Sequence, residues 1–241
     1  MPKLLRIFIT GMFISFLGSL PLGTLNVAAT QIAIYKGVAA ALWFSSGSLA
    51  VEVVYVRLSL VAMDWVRRQK RLFRILEWVT LGIVLLLAAS SFWAAWHSSQ
   101  PGAGEPVAPP YLKNTLHPFL LGVIMSAVNP VQIPFWFGWS TVLFTKKILL
   151  PRNDHYNTYI GGIGLGTLMG NFVFVFGGKL LAGKIAGNQH ILNWVIGGIF
   201  TVTALVQVYK MWRNKGAEHR IDHPEEHTRP FEDEVDDIQS S

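Results

Sequence analysis

Six long apolar stretches, at about 4–35, 37–63, 73–96, 117–145, 157–182 and 190–212, take up most of this 241-residue chain. A helix that crosses the hydrocarbon core of a bilayer needs ~20 predominantly apolar residues, so each stretch is long enough to span. The first and fourth are long enough to be broken in the middle. In lipid every backbone N–H and C=O must find a partner within the protein, which leaves helices and closed barrels as the only spanning forms. Runs of this length predict helices. With 51% hydrophobic and only 14% charged residues, and a mean hydropathy of +0.40, the chain is too apolar for an ordinary soluble domain. The expected fold class is all-α, a polytopic membrane protein with six transmembrane helices.

The chain also repeats itself. Ile75-Leu76-Glu77-Trp78-Val79-Thr80-Leu81-Gly82-Ile83 returns as Ile191-Leu192-Asn193-Trp194-Val195-Ile196-Gly197-Gly198-Ile199. Gly47-Ser48-Leu49-Ala50-Val51-Glu52 matches Gly166-Thr167-Leu168-Met169-Gly170-Asn171, and Phe16 to Asn26 matches Phe119 to Asn129 with the same spacing. Three landmarks recur in the same order, which predicts two three-helix repeats. Three crossings are an odd number, so the second repeat is inverted relative to the first, the architecture of secondary transporters. The expected organisation is a first repeat at 1–96, an external Pro/Gly-rich linker at 97–116, a second repeat at 117–213 and a disordered acidic tail at 214–241.

The net charge of +6 hides an asymmetry. With six spans, one side collects Lys3, Arg6, Arg67, Arg68, Lys70, Arg71, Arg74, Lys146, Lys147, Arg152, Lys210, Arg213, Lys215, Arg220 and Arg229. The other side collects Lys36, Lys113, Lys179 and Lys184, and Arg57 is left inside a span. Such a bias is the positive-inside signal and puts both termini in the cytoplasm, with the protein in the cell membrane. The basic charge is thus a topology determinant, and nucleic acid is not an expected partner. Trp93 and Trp96 at outer span ends, and Trp65 and Trp212 at inner ends, fit interfacial anchors. Lys3 and Arg6 ahead of an apolar run resemble a cleaved signal, yet residues 16–26 have a counterpart in the second half that a cleaved segment would not need. There is no cysteine, which excludes disulfides and thiolate chemistry.

Glu52 is the sharpest single residue. It lies near the middle of the second span, close to the bilayer midplane at 1.5 Å per residue. A carboxyl there is costly, must face protein or water, and is a functional-site candidate by default. Burial penalises its charged form, which suits a group that takes up and releases protons. The alternative role is a protonated tie between helices. Tyr55 shares the helix face of Glu52 and is placed to support it by a hydrogen bond. Asn171, the repeat-mate of Glu52, sits equally deep and offers both donor and acceptor. Arg57 either snorkels to the inner surface or binds a substrate carboxylate.

The second constellation is helix breaking at matched depths. Pro21-Leu22-Gly23-Thr24-Leu25-Asn26 interrupts the first span and Asn129-Pro130 the fourth, with Pro134 following. In a membrane, freed backbone groups are tolerated where they meet protein, water or substrate. Half-helices beginning at Asn26 or Pro130 would point their positive dipole ends toward the midplane, where an anionic group docks. The expected substrate cradle is Pro21, Gly23, Asn26, Asn129, Pro130 and Asn171, with Arg57 added if it reads a carboxylate. Gly162, Gly166 and Gly170 form a small-residue stripe that serves internal packing or a homodimer contact.

These features resemble the lysine-exporter (LysE-type) translocator family, which includes homoserine and threonine exporters. The resemblance covers about 4–213 and rests on Pro21, Gly23 and Asn26 in the first span, Gly37 and Gly47 around the second, and the Asn129-Pro130 break. Where the family usually reads Pro-Gly-Pro followed by a small or polar residue, this chain reads Pro21-Leu22-Gly23-Thr24. The resemblance implies six spans in two inverted halves and export of amino acids or similar small solutes, coupled to protons, with no cofactor.

The expected function is therefore a secondary transporter that exports amino acids or similar small polar solutes by proton exchange with alternating access, Glu52 and Tyr55 forming the proton-coupling pair. The alternative from another class is an exporter or sensor of inorganic cations, with Glu52 and the tail histidines His219, His223 and His227 as ligands. Few intramembrane carboxylates count against it, since divalent cations want several oxygen ligands. No enzyme is expected: all seven histidines lie in loops, span ends or the tail, so the Ser–His pair or metal site of an intramembrane hydrolase is missing.

Overall fold

The computed structural model describes residues 3–20, 23–62, 70–98, 109–112, 116–184, 189–213 and Ile238. Among these residues there is no strand. Eight α-helices follow one another: α1 (Lys3–Ser19), α2 (Thr24–Tyr35), α3 (Val38–Val61), α4 (Lys70–Ser98), α5 (Pro118–Ala127), α6 (Gln132–Thr145), α7 (Asn153–Lys184) and α8 (Gln189–Trp212). A short 3-10 turn, Pro110–Leu112, stands in the linker and packs on α4. The rest of the linker, the segment holding Trp65 and the acidic tail with its three histidines fall almost wholly outside the described residues.

Four helices hold stretches long and apolar enough to cross a membrane: Val38–Val61, Arg74–His97, Asn153–Gly178 and Asn193–Trp212. The other four make two pairs, α1 with α2 and α5 with α6, each bent by more than 40° at its break and the second by 65°. The chain is thus a multi-pass membrane protein with four to six candidate spans. Its exterior carries the large apolar side chains that lipid contact calls for, among them Val54, Leu86, Leu180, Val202 and Leu205. Trp93, Trp96 and Trp212 are exposed at helix ends, Trp212 by 83%.

Local sequence sets the joints. Between α2 and α3 the chain turns at Lys36 and Gly37, where Gly37 takes φ 90°, a conformation side chains oppose. α5 opens on Pro118, whose missing N–H costs nothing at the first helical position, and the His117 ring accepts from the Phe119 N–H. The second half-helices start at Thr24 and Gln132, not at Asn26 and Pro130. Gly23 is extended and caps α2 directly, so helix resumes at the next residue. Asn129 Oδ1 accepts the Val131 N–H at 3.1 Å, which keeps Pro130 and Val131 in a turn.

The helices exchange partners across the sequence. α1 lies along α7 and α5 lies along α3, while α4 pairs with α8 and α2 wedges between α3 and α7. The first two crossings are close enough that backbone meets backbone. A Cβ on Gly47 would overlap the Phe119 carbonyl, and one on Gly122 that of Phe44. On the other crossing, Gly162 and Gly166 face the carbonyls of Phe8 and Met12, and Gly170 faces Ser19. The glycine stripe therefore serves internal packing, the small-residue logic of helix contacts in lipid. No homodimer contact is needed to explain it.

Two large apolar clusters lie on either side of the middle of α3 and α7. One gathers Val27, Ile32, Phe44, Leu81, Val175 and Phe200. The other gathers Ile7, Ile14, Val56, Trp136, Tyr159 and Ile163. On α3 the buried row Phe44, Ser48, Glu52, Val56 runs from the first cluster to the second. On α7 the buried row Ile163, Thr167, Asn171, Val175 runs from the second to the first. Residues four apart share one helix face, so each row presents two polar residues between two apolar ones.

Candidate functional site

The polar layer between the clusters is the candidate site. Glu52 lies at its centre with only 8% of its surface exposed. Thr167 Oγ1–H donates to Glu52 Oε2 at 2.8 Å, and Trp136 on α6 lies beside the same carboxyl. Thr167 Oγ1 also lies 2.5 Å from Ser15 Oγ on α1. Three helices, α1, α3 and α7, are thus joined through one carboxyl by hydroxyl groups. A buried carboxyl with such donors can exist charged or neutral, since the hydroxyls can turn to donate or accept.

Asn171 stands one turn beyond Thr167 on α7 and is equally buried, at 8% exposure. Its side chain makes no hydrogen bond among the described residues. The layer is completed from α3, α5 and α6. Ser126 Oγ–H donates to the Ser48 carbonyl at 3.2 Å, and Gln132 Nε2–H donates to Ser126 Oγ at 3.0 Å. Ser15, Ser48, Ser126, Thr167, Trp136 and Gln132 were not among the residues expected from sequence. Thr167 and Ser48 had a signal, because they are the second residues of the matched landmarks Gly166–Asn171 and Gly47–Glu52. Trp136 had none, being one of several large apolar residues along α6.

The two breaks flank this layer and close their own backbone. Asn26 Nδ2–H donates to the Ser19 carbonyl at 2.6 Å, tying α2 back to the end of α1. The carbonyls at the end of α5 have no next turn to bond to. Tyr55 Oη–H donates to that of Ala127 at 2.6 Å, and Thr80 Oγ1–H to that of Val128. Tyr55 therefore faces the second break and not the Glu52 carboxyl, although it is three residues away on the same helix. Gly23 and Pro130 are joint residues, Pro130 buried; Pro21 lies outside the described residues.

Arg57 is placed away from the layer, toward the end of α3. Its guanidinium donates to Asn153 Oδ1 at 2.9 Å and to Asn157 Oδ1 at 3.3 Å, and its centre lies 5.2 Å from the Tyr156 ring. It clamps the end of α3 to the first turns of α7. Beside it Arg152 and Asp154 form an exposed pair at 2.8 Å. Among the described residues no group of three or more His, Cys, Asp or Glu is arranged to hold a metal ion.

The chain matches the family model described as LysE type translocator over residues 4–211. No curated protein and no solved structure matches it.

Proposed function

Because the chain belongs to the LysE type translocator family and is thus a membrane transporter, we propose that it exports amino acids or similar small polar solutes by exchange with protons. The observation that carries this reading is the buried Glu52 carboxyl, set between two apolar clusters and joined to α1 and α7 by hydroxyls. A lone acid in such a layer is where an intramembrane proton site is expected. The solute sits beside it, against the Asn171 amide and the backbone of the two breaks at Gly23, Asn26, Asn129 and Pro130.

The arrangement is two inverted halves of three spans, both termini in the cytoplasm, in the cell membrane. Support comes from the rows on α3 and α7, which cross the two clusters in opposite order. Further support is that each half lays its first helix along the middle span of the other. Alternating access then opens one cluster while the other stays shut, with Glu52 protonated on one side and emptied on the other. Arg57, already bonded to Asn153 and Asn157, guards one end and takes no solute carboxylate in this reading.

The test is export from a bacterial host fed a panel of dipeptides, with released amino acids quantified against an empty vector and Glu52→Gln. Selective release of one amino-acid class, lost in Glu52→Gln, is the expected result. Release no different from vector, with the protein present in the membrane, would overturn the reading.

A further inference from the structure

α4 and α8 form a pair apart from the other helices. They lie along each other, with the Phe92 and Trp194 rings 5.3 Å apart and Phe92 against Gly197. Backbone rests directly on backbone at Gly11, Gly47, Gly122, Gly162 and Gly166, and all of these crossings join α1 to α7 or α3 to α5. The backbones of α4 and α8 approach those of the other helices sparsely, chiefly at α2. Side chains make the joint instead. Leu81, Val84, Leu87 and Phe200 of the pair share the first apolar cluster with Val27, Ile32 and Phe44. Thr80 ties α4 to the Val128 carbonyl.

The seam between this pair and α2 is polar and short of partners. Gln31 and Tyr35 stand one turn apart near the end of α2 and share a face. Gln31 Nε2–H donates to Ser91 Oγ on α4 at 3.3 Å, a long bond. Tyr35 lies beside Asn193, in the second turn of α8. Gln31, Ser91 and Asn193 are wholly buried. Yet Tyr35 Oη and both polar atoms of the Asn193 amide, Oδ1 and Nδ2, are enclosed without a hydrogen-bond partner. A buried polar atom left unpaired carries its full desolvation cost. Each of these three atoms therefore favours a state in which it meets water or a polar ligand.

We propose that the α4–α8 pair is the moving part of the transporter, and that it parts from α2 at Tyr35 and Asn193 to open a passage for the solute. What passes rests on the reading of the chain as an exporter; the movement stands on the packing. The first apolar cluster holds the seam shut, and the unpaired atoms of Tyr35 and Asn193 oppose it. The α1–α7 and α3–α5 crossings, with carbonyls set against glycines, are the rigid frame. The Thr80 tie lies about three turns from Ser91 along α4 and serves as the pivot. Once open, the passage offers the Asn193 amide, the Tyr35 hydroxyl, Gln31 and Ser91. It offers no charge: α2, α4 between Trp78 and Trp96, and α8 between Ile191 and Tyr209 hold no charged residue. Such a lining suits the neutral hydrogen-bonding groups of a solute.

The experiment exploits a chain without cysteine. N193C and Y35C, purified in lipid nanodiscs, are exposed to a water-soluble maleimide. T10C is the control, because Thr10 is as buried as Asn193 but lies on α1, within the frame. N193C and Y35C are expected to label about tenfold or more faster than T10C, on the scale of one unpaired buried group. Asn193→Leu keeps the size of the side chain and removes its unpaired atoms, which stabilises the closed seam. It is expected to raise the unfolding midpoint and to lower amino-acid release from dipeptide-fed cells about tenfold. Labelling of N193C and Y35C no faster than T10C would overturn the moving pair while leaving the export reading standing. A midpoint lowered by Asn193→Leu would give the amide a partner and overturn it too. If N193C does not fold, Y35C decides alone. Fast labelling, with no amino acid released by the wild-type protein, would overturn the export reading and leave the moving pair standing.

Discussion

The Tyr55 hydroxyl on α3 is donated to the Ala127 carbonyl at the end of α5, 2.6 Å away. That carbonyl is exposed by the break between α5 and α6, and in lipid it needs a partner. Tyr55→Phe leaves the ring in place and the carbonyl without its donor. Interhelical hydrogen bonds in membranes contribute about 0.5–2 kcal/mol, so a loss of stability of that order is expected. Thermal unfolding in detergent is the measurement. An unchanged midpoint would show that the carbonyl finds another partner at no cost.

Asn171 carries a different expectation, because its amide is buried without a hydrogen bond to any described residue. Replacing it with Ala should change stability by less than about 1 kcal/mol, since no protein partner is stranded. Solute affinity should fall by about tenfold or more, because polar groups of the bound solute would lose their partner. Transport KM and unfolding midpoint together decide the matter. A lowered midpoint with an unchanged KM would make Asn171 a structural amide.

Glycines on one helix should divide by their neighbours. Gly164 has open space where a Cβ would go, whereas Gly166 is held against the Met12 carbonyl of α1. Gly164→Ala should stabilise by about 0.5–1 kcal/mol through lower backbone entropy in the unfolded chain. Gly166→Ala should cost about 1–3 kcal/mol, because a backbone must move to admit the methyl group. Equal effects of the two changes, read by denaturant unfolding, would contradict the close α1–α7 crossing.

Arg57→Ala tests which end of the bundle that residue serves. Its bonds to Asn153 and Asn157 are on the half-exposed end of α3, so stability should fall by only about 1 kcal/mol or less. The transport rate should change while the KM for solute does not. A KM raised about tenfold, at unchanged stability, would instead put the guanidinium on the solute.

The fold was largely legible because lipid removes alternatives: long apolar runs have to be helices, and prolines at Pro21 and Pro130 have to interrupt them. The depth of Glu52 followed from counting residues along one helix. What counting along a helix does not supply is the partner across the bundle. Glu52 and Tyr55 share a face of α3, so the sequence suggested that they pair. The partners are instead set by neighbouring helices, Thr167 for one and Ala127 for the other. Arg57 illustrates the same limit, since its position within a span did not reveal that Asn153 and Asn157 lie beside it. Hydroxyls such as Ser15 are common in apolar helices, and only the α1–α7 crossing gives this one its partner, Thr167.

The crossing of α1 on α7 also bears on the order of assembly. Ser15 and Thr167 are 152 residues apart, and Gly11 of α1 is held against Tyr159 of α7. At a synthesis rate of about 5–20 residues per second, α1 waits roughly 8–30 s in the bilayer before its partner has been made. During that interval its hydroxyls and glycines face lipid or whatever insertion machinery shields them. A nascent chain that stops short of α7 holds Glu52 without the Thr167 donor, a buried acid with its hydrogen bond unmade.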